Sequence, residues 1–178
     1  MRIVGGKYKG RVLEEFKGSD IRPTSDKARE SLYNILQFRI AGASFLDLFC
    51  GTGAMGIEAL SRGASKVTFN DIDRKSIALL KSNLQKLKVD EQYSVFNYDA
   101  FRLLKTTCEK FDIIYIDPPY ALNLGASAVE HSINALAPNG LIILEDENAF
   151  DGEIEGLIKT DCRKYGRIHL TFFQKGER

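Results

Sequence analysis

Short apolar runs alternate with amphipathic segments from residue 45 to residue 145 of this 178-residue chain. The run Phe111–Ile116 is almost continuously apolar, as expected for a strand that is covered on both faces. In Arg74–Leu87, by contrast, the apolar residues recur at the spacing of one helical face. Alternation of this kind predicts an α/β fold, with helices on both faces of a mostly parallel sheet.

The predicted sheet is seven-stranded. Its strands are expected at residues 45–49, 66–70, 93–97, 111–116, 141–145, 161–165 and 168–173. Helices are expected from the start signal at residues 23–26 through Leu36, and at residues 54–62, 74–87, 101–108 and 126–136. Gly166 and Arg167 predict an antiparallel hairpin at an edge of the sheet, so Phe172 and Phe173 are interpreted as edge-strand residues.

The N-terminal residues differ from the rest in composition. Residues 1–23 are rich in Gly, Lys and Arg and are expected to form a small basic arm or hairpin, before a main domain at residues 24–178. Residues 145–155, by contrast, contain six acids and no base. This asymmetry fits a surface that meets phosphates, and the alternative is a solvated terminus.

The cysteines, histidines and apolar stretches indicate where the protein acts and whether it binds metal or membrane. The three cysteines form no C-x-x-C pair, which fits a reducing cytoplasm and predicts no metal site. His131 and His169 have no evident partners and are interpreted as surface or packing residues. No stretch approaches 18 apolar residues and no secretion signal is evident, so we expect no membrane association.

A glycine-rich loop follows the first predicted strand, in the sequence Asp47-Leu-Phe-Cys-Gly-Thr-Gly53. Ligands of open α/β sheets bind beyond the carboxyl ends of the strands, and glycine lets a ligand approach the backbone closely. The loop also matches the G-x-G-x-x-G pattern, with Asp71 20 residues after Gly51. An NAD-type oxidoreductase therefore stays open as an alternative.

Carboxylates at three consecutive strand ends favour S-adenosylmethionine over a dinucleotide. Asp47 can face the ammonium group of this cofactor, Asp71 both ribose hydroxyls, and Asp99 the adenine amino group. A buried acid beside a pyrophosphate would be unfavourable. The alternative is that these residues only cap the helices that follow them.

The sequence Asp117-Pro-Pro-Tyr120 follows the most apolar strand. The two prolines stiffen the turn, so the Asp117 carboxylate and the Pro118 carbonyl become preorganised acceptors. Two such acceptors can activate an exocyclic amino group on a nucleobase, and Tyr120 can stack on the ring. The simpler alternative is a tight turn. Cys50 beside the glycine loop is interpreted as a packed residue, not as the nucleophile of cytosine C5 methylation.

These two motifs together resemble the Rossmann-like class I methyltransferases that modify exocyclic amino groups. The segments IVGGKYKGR (3–11), RPTSDKARESLYNIL (22–36) and GIEALSRG (56–63) narrow the resemblance to the bacterial family that methylates the 2-amino group of one guanine in 16S ribosomal RNA. The resemblance covers residues 2–173. It implies S-adenosylmethionine as cofactor, 16S ribosomal RNA or a partly assembled small ribosomal subunit as substrate, and action in the cytoplasm. We also expect a monomer.

The resemblance also implies a set of site residues. Those expected to act on the guanine are Asp117, Pro118 and Tyr120. Those expected to bind the cofactor are Asp47, Phe49, Gly51, Gly53, Asp71, Ile72, Asp99 and Ala100. Those expected to contact RNA are Lys7, Lys9, Arg11 and Arg22. Adenine amino methyltransferases share Asp-Pro-Pro-Tyr, so such an enzyme, or a non-catalytic RNA-binding assembly factor, stays open.

Overall fold

The computed structural model describes residues 1–16 and 26–176. Its strands are β1 (Ser44–Asp47), β2 (Lys66–Asn70), β3 (Gln92–Phe96), β4 (Phe111–Ile116), β5 (Leu136–Asp146), β6 (Leu157–Tyr165) and β7 (Ile168–Lys175). Its α-helices are α1 (Asp26–Ile35), α2 (Ala54–Ser61), α3 (Arg74–Leu87), α4 (Ala100–Thr106) and α5 (Gly125–Ser132). Within these residues, no helix combines the length and the apolar character that a membrane crossing requires.

All seven strands belong to one sheet, in the order β3-β2-β1-β4-β5-β7-β6. Strands β1 to β5 pair in parallel, whereas β7 is antiparallel to both β5 and β6. The predicted α/β class and the C-terminal hairpin are confirmed. The edge position predicted for Phe172 and Phe173 is wrong, because β7 inserts between β5 and β6 and buries both rings.

The two faces of the sheet carry separate hydrophobic clusters. Phe45 points to the cluster under α2 and α3, and its neighbour Leu46 points to the cluster under α4 and α5. The same alternation recurs along β4, β5 and β7, as the pleat requires. Helices therefore cover both faces, which leaves the ends of the strands, and not the faces, accessible to a ligand.

Most predicted boundaries agree with the structure to within a few residues, and the main difference lies at α5. The predicted helix 126–136 stops at Ser132, a 3₁₀ turn follows, and β5 starts early at Leu136. Leu136 is fully buried and pairs with Phe111, whereas the register shifts before Ile113 pairs with Leu141. Pro138 lies in the irregular stretch, where the lack of an N–H does no harm.

The N-terminal arm packs on the domain. Ile3, Tyr8 and Leu13 are buried in the cluster under α2 and α3, and the backbone N–H of Lys7 donates to the Ser61 carbonyl at 2.7 Å. A short antiparallel bridge joins Arg2 to Val12. The alternative of a solvated terminus is therefore wrong for residues 1–13. The predicted boundary at 23/24 and the helix start at 23–25 lie outside the described residues.

A single amide ties this arm to the glycine loop. Asn83 of α3 is fully buried, and its Nδ2 donates to the carbonyls of Glu14 and Thr52, each at 3.2 Å. Its Oδ1 accepts from the Glu14 N–H at 2.7 Å. The arm, the helix and the loop thus meet at one side chain.

Candidate active site

The two sequence motifs meet at the point where the strand order reverses. β1 lies between β2 and β4, and the chain runs from β1 to β2 on one side and reaches β4 only later. Asp47 pairs in register with Tyr115, two residues before Asp117. The glycine loop and the Asp-Pro-Pro-Tyr turn therefore leave adjacent parallel strands at the same edge, where α/β sheets form their ligand crevice.

The two glycines of the loop serve different purposes. Both have left-handed backbones, with φ of 51° at Gly51 and 82° at Gly53. At Gly53 the left-handed φ favours glycine, and a Cβ there would also lie 2.2 Å from Leu80 Cδ1 of α3. A Cβ on Gly51 would meet nothing within 4 Å, so this backbone faces open space that a cofactor can fill.

Asp71 lies half-buried after β2, beside the loop. Its Oδ2 accepts from the Gly51 N–H at 2.8 Å, and its Oδ1 from the Asp73 N–H at 2.9 Å. Burial raises the pKa of Asp71, while these backbone hydrogen bonds oppose the rise. Each oxygen keeps a lone pair for a further donor, as a ribose diol would supply.

Asp47 is more deeply placed than a simple cofactor contact would require. It is 1% exposed, and its Oδ2 accepts from the Gly56 N–H in the first turn of α2 at 2.9 Å. Burial raises the pKa of Asp47 to about 7, and the negative charge of Asp71 adds to the rise. The helix-anchoring role raised as an alternative is thus present, and contact with the cofactor ammonium stays a prediction.

The remaining residues predicted to bind cofactor lie around the same edge. Asp99 is exposed, and its Oδ1 caps α4 by accepting from the N–H groups of Phe101 and Arg102. Ala100 is buried in the first turn of α4, and Phe49 is half-buried after β1. The Ile72 side chain is 67% exposed beside Asp71, a position from which it could cover a bound ring.

The Asp-Pro-Pro-Tyr turn follows β4 directly, and the roles predicted for its residues stay predictions. Pro118 is buried, and residues Tyr120–Leu122 form a single 3₁₀ turn. Asp117 is half-buried, and desolvation raises its pKa, with further rises from the negative charges of Glu145, Asp47 and Asp146. The site therefore holds a carboxylate that gains a proton more readily than an ordinary aspartate.

Sequence reasoning missed three residues that hold this edge together. Asn70, at the end of β2, donates to the carbonyls of Leu48 and Tyr98, so it ties the ends of three strands. The side-chain amide of Asn97 donates to the backbone carbonyls of Asp71 and Ile72, which follow β2, at 2.8 and 2.9 Å. Glu145 is 2% exposed near the end of β5. The signal available in the sequence for such residues is a polar residue at the end of an apolar run.

The residues predicted to contact RNA are not all free to do so. Lys7 forms ion pairs with Asp90 and Glu91, which precede β3 at the sheet edge opposite the glycine loop. The hydrogen bonds to these two acids raise the pKa of Lys7. Lys9 and Arg11 are exposed on the same arm. Arg22 lies outside the described residues.

Comparison with known proteins assigns the family. The family described as "Conserved hypothetical protein 95" matches residues 1–174. The Haemophilus influenzae protein named ribosomal RNA small subunit methyltransferase D is 40% identical over 152 residues, which are 83% of this chain and 79% of that protein. The Escherichia coli K12 protein of the same name is 36% identical over 160 residues, 90% and 78% of the two chains. This chain therefore belongs to the family of ribosomal RNA small subunit methyltransferase D.

Solved structures agree with the assignment to the methyltransferase D family. The Escherichia coli protein yhhF, which carries a provisional assignment as a methyltransferase, matches with a TM-score of 0.88 at 32% identity over 98% of this chain and 97% of that one. The Haemophilus influenzae protein HI0767, provisionally a methylase, matches with a TM-score of 0.81 at 35% identity over 99% and 98%. The predicted family and class I methyltransferase fold are confirmed.

Cys50 is packed in the hydrophobic cluster beside the glycine loop. It is 7% exposed, and burial raises the pKa of its thiol well above the usual range. A thiol that stays protonated is a poor nucleophile, so the interpretation as a packed residue agrees with the structure.

Proposed function

We propose that this protein transfers the methyl group of S-adenosylmethionine to the exocyclic 2-amino group of a guanine in 16S ribosomal RNA. The observation that carries the proposal is the shared edge of the sheet. The amino-acceptor turn at Asp117 and the open glycine loop at Gly51 follow adjacent parallel strands. The relatives named ribosomal RNA small subunit methyltransferase D supply the class of substrate.

The residues at this edge fit the proposed cofactor. The half-buried Asp71 carboxylate is suited to the ribose hydroxyls, and the exposed Ile72 side chain to the adenine ring. The open backbone at Gly51 admits the cofactor close to the loop. S-adenosylmethionine, when bound, supplies an electrophilic methyl group on a positively charged sulfur. The nearby carboxylates complement that charge.

The Asp-Pro-Pro-Tyr turn would prepare the amino group for attack. The exocyclic nitrogen of guanine is a poor nucleophile, because its lone pair is delocalised into the ring. In the proposed geometry, Asp117 and the Pro118 carbonyl accept from its two N–H bonds and stabilise the positive charge that develops as the nitrogen–carbon bond forms. Transfer would release S-adenosylhomocysteine, because the sulfur–carbon bond would break as the nitrogen–carbon bond forms, and the acidic product ammonium would lose its proton. The Asp117 carboxylate, which would already accept a hydrogen bond from that nitrogen, is placed to take the proton.

The same proposal includes the setting of the reaction. We place it in the cytoplasm, on 16S RNA or a partly assembled small subunit, with the protein acting as a monomer. The N-terminal arm would hold RNA at a distance from the target base, because Lys7 lies toward the opposite edge of the sheet.

Transfer of labelled methyl groups tests the proposal directly. The substrates are 30S particles that lack the modification, protein-free 16S RNA and double-stranded DNA, each followed by nucleoside analysis. Labelled N2-methylguanosine from the particles or the 16S RNA is the expected product. N6-methyladenosine would replace the guanine assignment with the adenine alternative. RNA binding without any transfer would indicate an assembly factor.

A further inference from the structure

Glu145 links the end of β5 to the Asp-Pro-Pro-Tyr turn. Ile116, the last residue of β4, pairs with Leu144 of β5, so Asp117 and Glu145 each follow directly after a paired residue. The buried Tyr115 hydroxyl donates to Oε2 of Glu145, and the Tyr120 hydroxyl donates to Oε1 at 3.3 Å. Each carboxylate oxygen of Glu145 thus accepts from a different tyrosine.

The two tyrosines differ in what surrounds them. Tyr115 is 1% exposed within β4, so packing already fixes its ring. Tyr120 is 37% exposed on a short 3₁₀ turn, and its neighbour Leu122 is 61% exposed. Packing alone leaves a side chain in that position free to change rotamer. The hydrogen bond to Glu145 joins the partly exposed Tyr120 ring to the buried end of β5.

We propose that Glu145 is a positioning residue, which fixes the plane of the Tyr120 ring and thereby the plane of the target base stacked on it. The inference rests on the proposed function, in which Tyr120 stacks on that base. Glu145 acts through Tyr120, with Tyr115 holding its other oxygen in place. The role is distinct from that of Asp117, which acts as the acceptor for the amino group.

Base orientation governs the chemical step more than it governs binding. A nitrogen tilted out of line with the sulfur–methyl bond reacts slowly, even when the RNA is fully bound. Loss of the Tyr120 hydroxyl should therefore lower kcat and leave the KM for the particle unchanged. A loss of stability alone would lower the amount of active enzyme and the melting temperature instead.

The first test removes one oxygen atom. Tyr120→Phe keeps the stacking ring and loses only the bond to Glu145, and we expect kcat on unmodified 30S particles to fall about tenfold. The matched control is Tyr93→Phe, because Tyr93 is a similarly exposed tyrosine (40%) at the start of β3. The control should keep its kcat, and both variants should keep their affinity for S-adenosylmethionine.

The second test asks whether the hydroxyl works through Glu145. The charge of Glu145 also raises the pKa of Asp117, so a single change at Glu145 is ambiguous. In a Glu145→Ala background, Tyr120→Phe should cost less than about twofold in kcat, because its partner is already gone. Glu145→Gln keeps an acceptor oxygen and should retain more kcat than Glu145→Ala. If Glu145→Ala does not fold, the cycle uses Glu145→Gln, in which the cost of Tyr120→Phe should shrink but persist.

The outcomes separate this inference from the proposed function. A wild-type protein that methylates no RNA would overturn the proposed function itself. An active wild-type protein whose Tyr120→Phe variant keeps full kcat would overturn only the role of Glu145. Equal losses from Tyr120→Phe with and without Glu145 would also overturn it, because the hydroxyl would then act independently.

Discussion

The backbone N–H of Gly51 donates to Oδ2 of Asp71 at 2.8 Å, so the carboxylate that follows β2 also holds the glycine loop that follows β1. Asp71 therefore has two effects on a cofactor at this edge. It offers acceptors directly, and it fixes the loop whose backbone the cofactor must approach. The carboxylate of Asp73, two residues later, caps α3 by accepting from the N–H groups of Lys75 and Ser76 and from the Ser76 hydroxyl.

We expect Asp71→Ala to weaken binding of S-adenosylmethionine at least about tenfold, since hydrogen bonds to a charged group contribute roughly 1.5–3 kcal/mol. Isothermal titration calorimetry measures the change. Asp73→Ala is the matched control, because it loses a helix cap and should lower the melting temperature while keeping cofactor affinity. An unchanged dissociation constant for Asp71→Ala would leave Asp71 with a purely structural role.

Asp117→Ala should show the opposite pattern. Loss of an acceptor aimed at developing charge should lower kcat on the order of 10²–10³-fold, whereas cofactor affinity should stay within a few-fold. Labelled methyl transfer to unmodified 30S particles measures the rate. Asp112→Ala is the control, since Asp112 lies near the start of β4, where it accepts from the Ser44 N–H. A folded Asp117→Ala protein with normal turnover would remove Asp117 from the proposed mechanism.

Asp47 should make stability depend on pH in an identifiable window. Its pKa is raised to about 7, so the folded state keeps a proton that the unfolded chain releases near pH ~4. Between these values the free energy of unfolding falls as pH rises. Asp47→Asn keeps an acceptor for the Gly56 N–H and removes this dependence.

Chemical denaturation of Asp47→Asn and wild type at several pH values checks this expectation. The stability of the variant relative to wild type should rise by up to roughly 4 kcal/mol between pH ~4 and ~7 and then level off. Parallel curves would mean that Asp47 titrates normally. Calorimetry on the same variant tests the separate prediction of a contact with the cofactor ammonium, which Asp47→Asn should weaken.

The arm should affect RNA affinity and not base choice. We expect Lys9→Ala with Arg11→Ala to flatten the salt dependence of RNA binding by roughly one unit of log–log slope for each phosphate that the variant no longer neutralises, with kcat unchanged. Lys7→Ala needs a separate test, because Lys7 is paired with Asp90 and Glu91. An identical slope for the double variant would leave Arg22 and the domain surface to capture RNA.

The sequence was sufficient for the fold because the signals were local and repeated. Apolar runs, helix caps such as Asp73 and glycines after helices recur along the chain and agree with one another. The position of β7 was not predictable in this way. Hairpin signals show that two strands pair, but they do not show which of the two will join β5.

The candidate site was predictable where a motif carries its own chemistry, as at Asp117. It was not predictable where one residue serves two purposes or acts across strands. Nothing in the sequence around Glu145 shows that two tyrosines will reach its two oxygens. The ion pairs of Lys7 were missed for the same reason, since Asp90 and Glu91 are distant in sequence.

The buried amide of Asn83 gives the N-terminal arm a place inside the catalytic domain. A chain that begins after Glu14 would leave two of the hydrogen bonds of the buried Asn83 amide unmet, next to the Thr52 carbonyl that it also holds. Truncation would therefore destabilise the core, whereas removing the charges of the arm would change only RNA affinity. The segment that we propose to contact RNA also supports the glycine loop through Asn83. Deleting it would therefore impair cofactor binding as well as RNA binding.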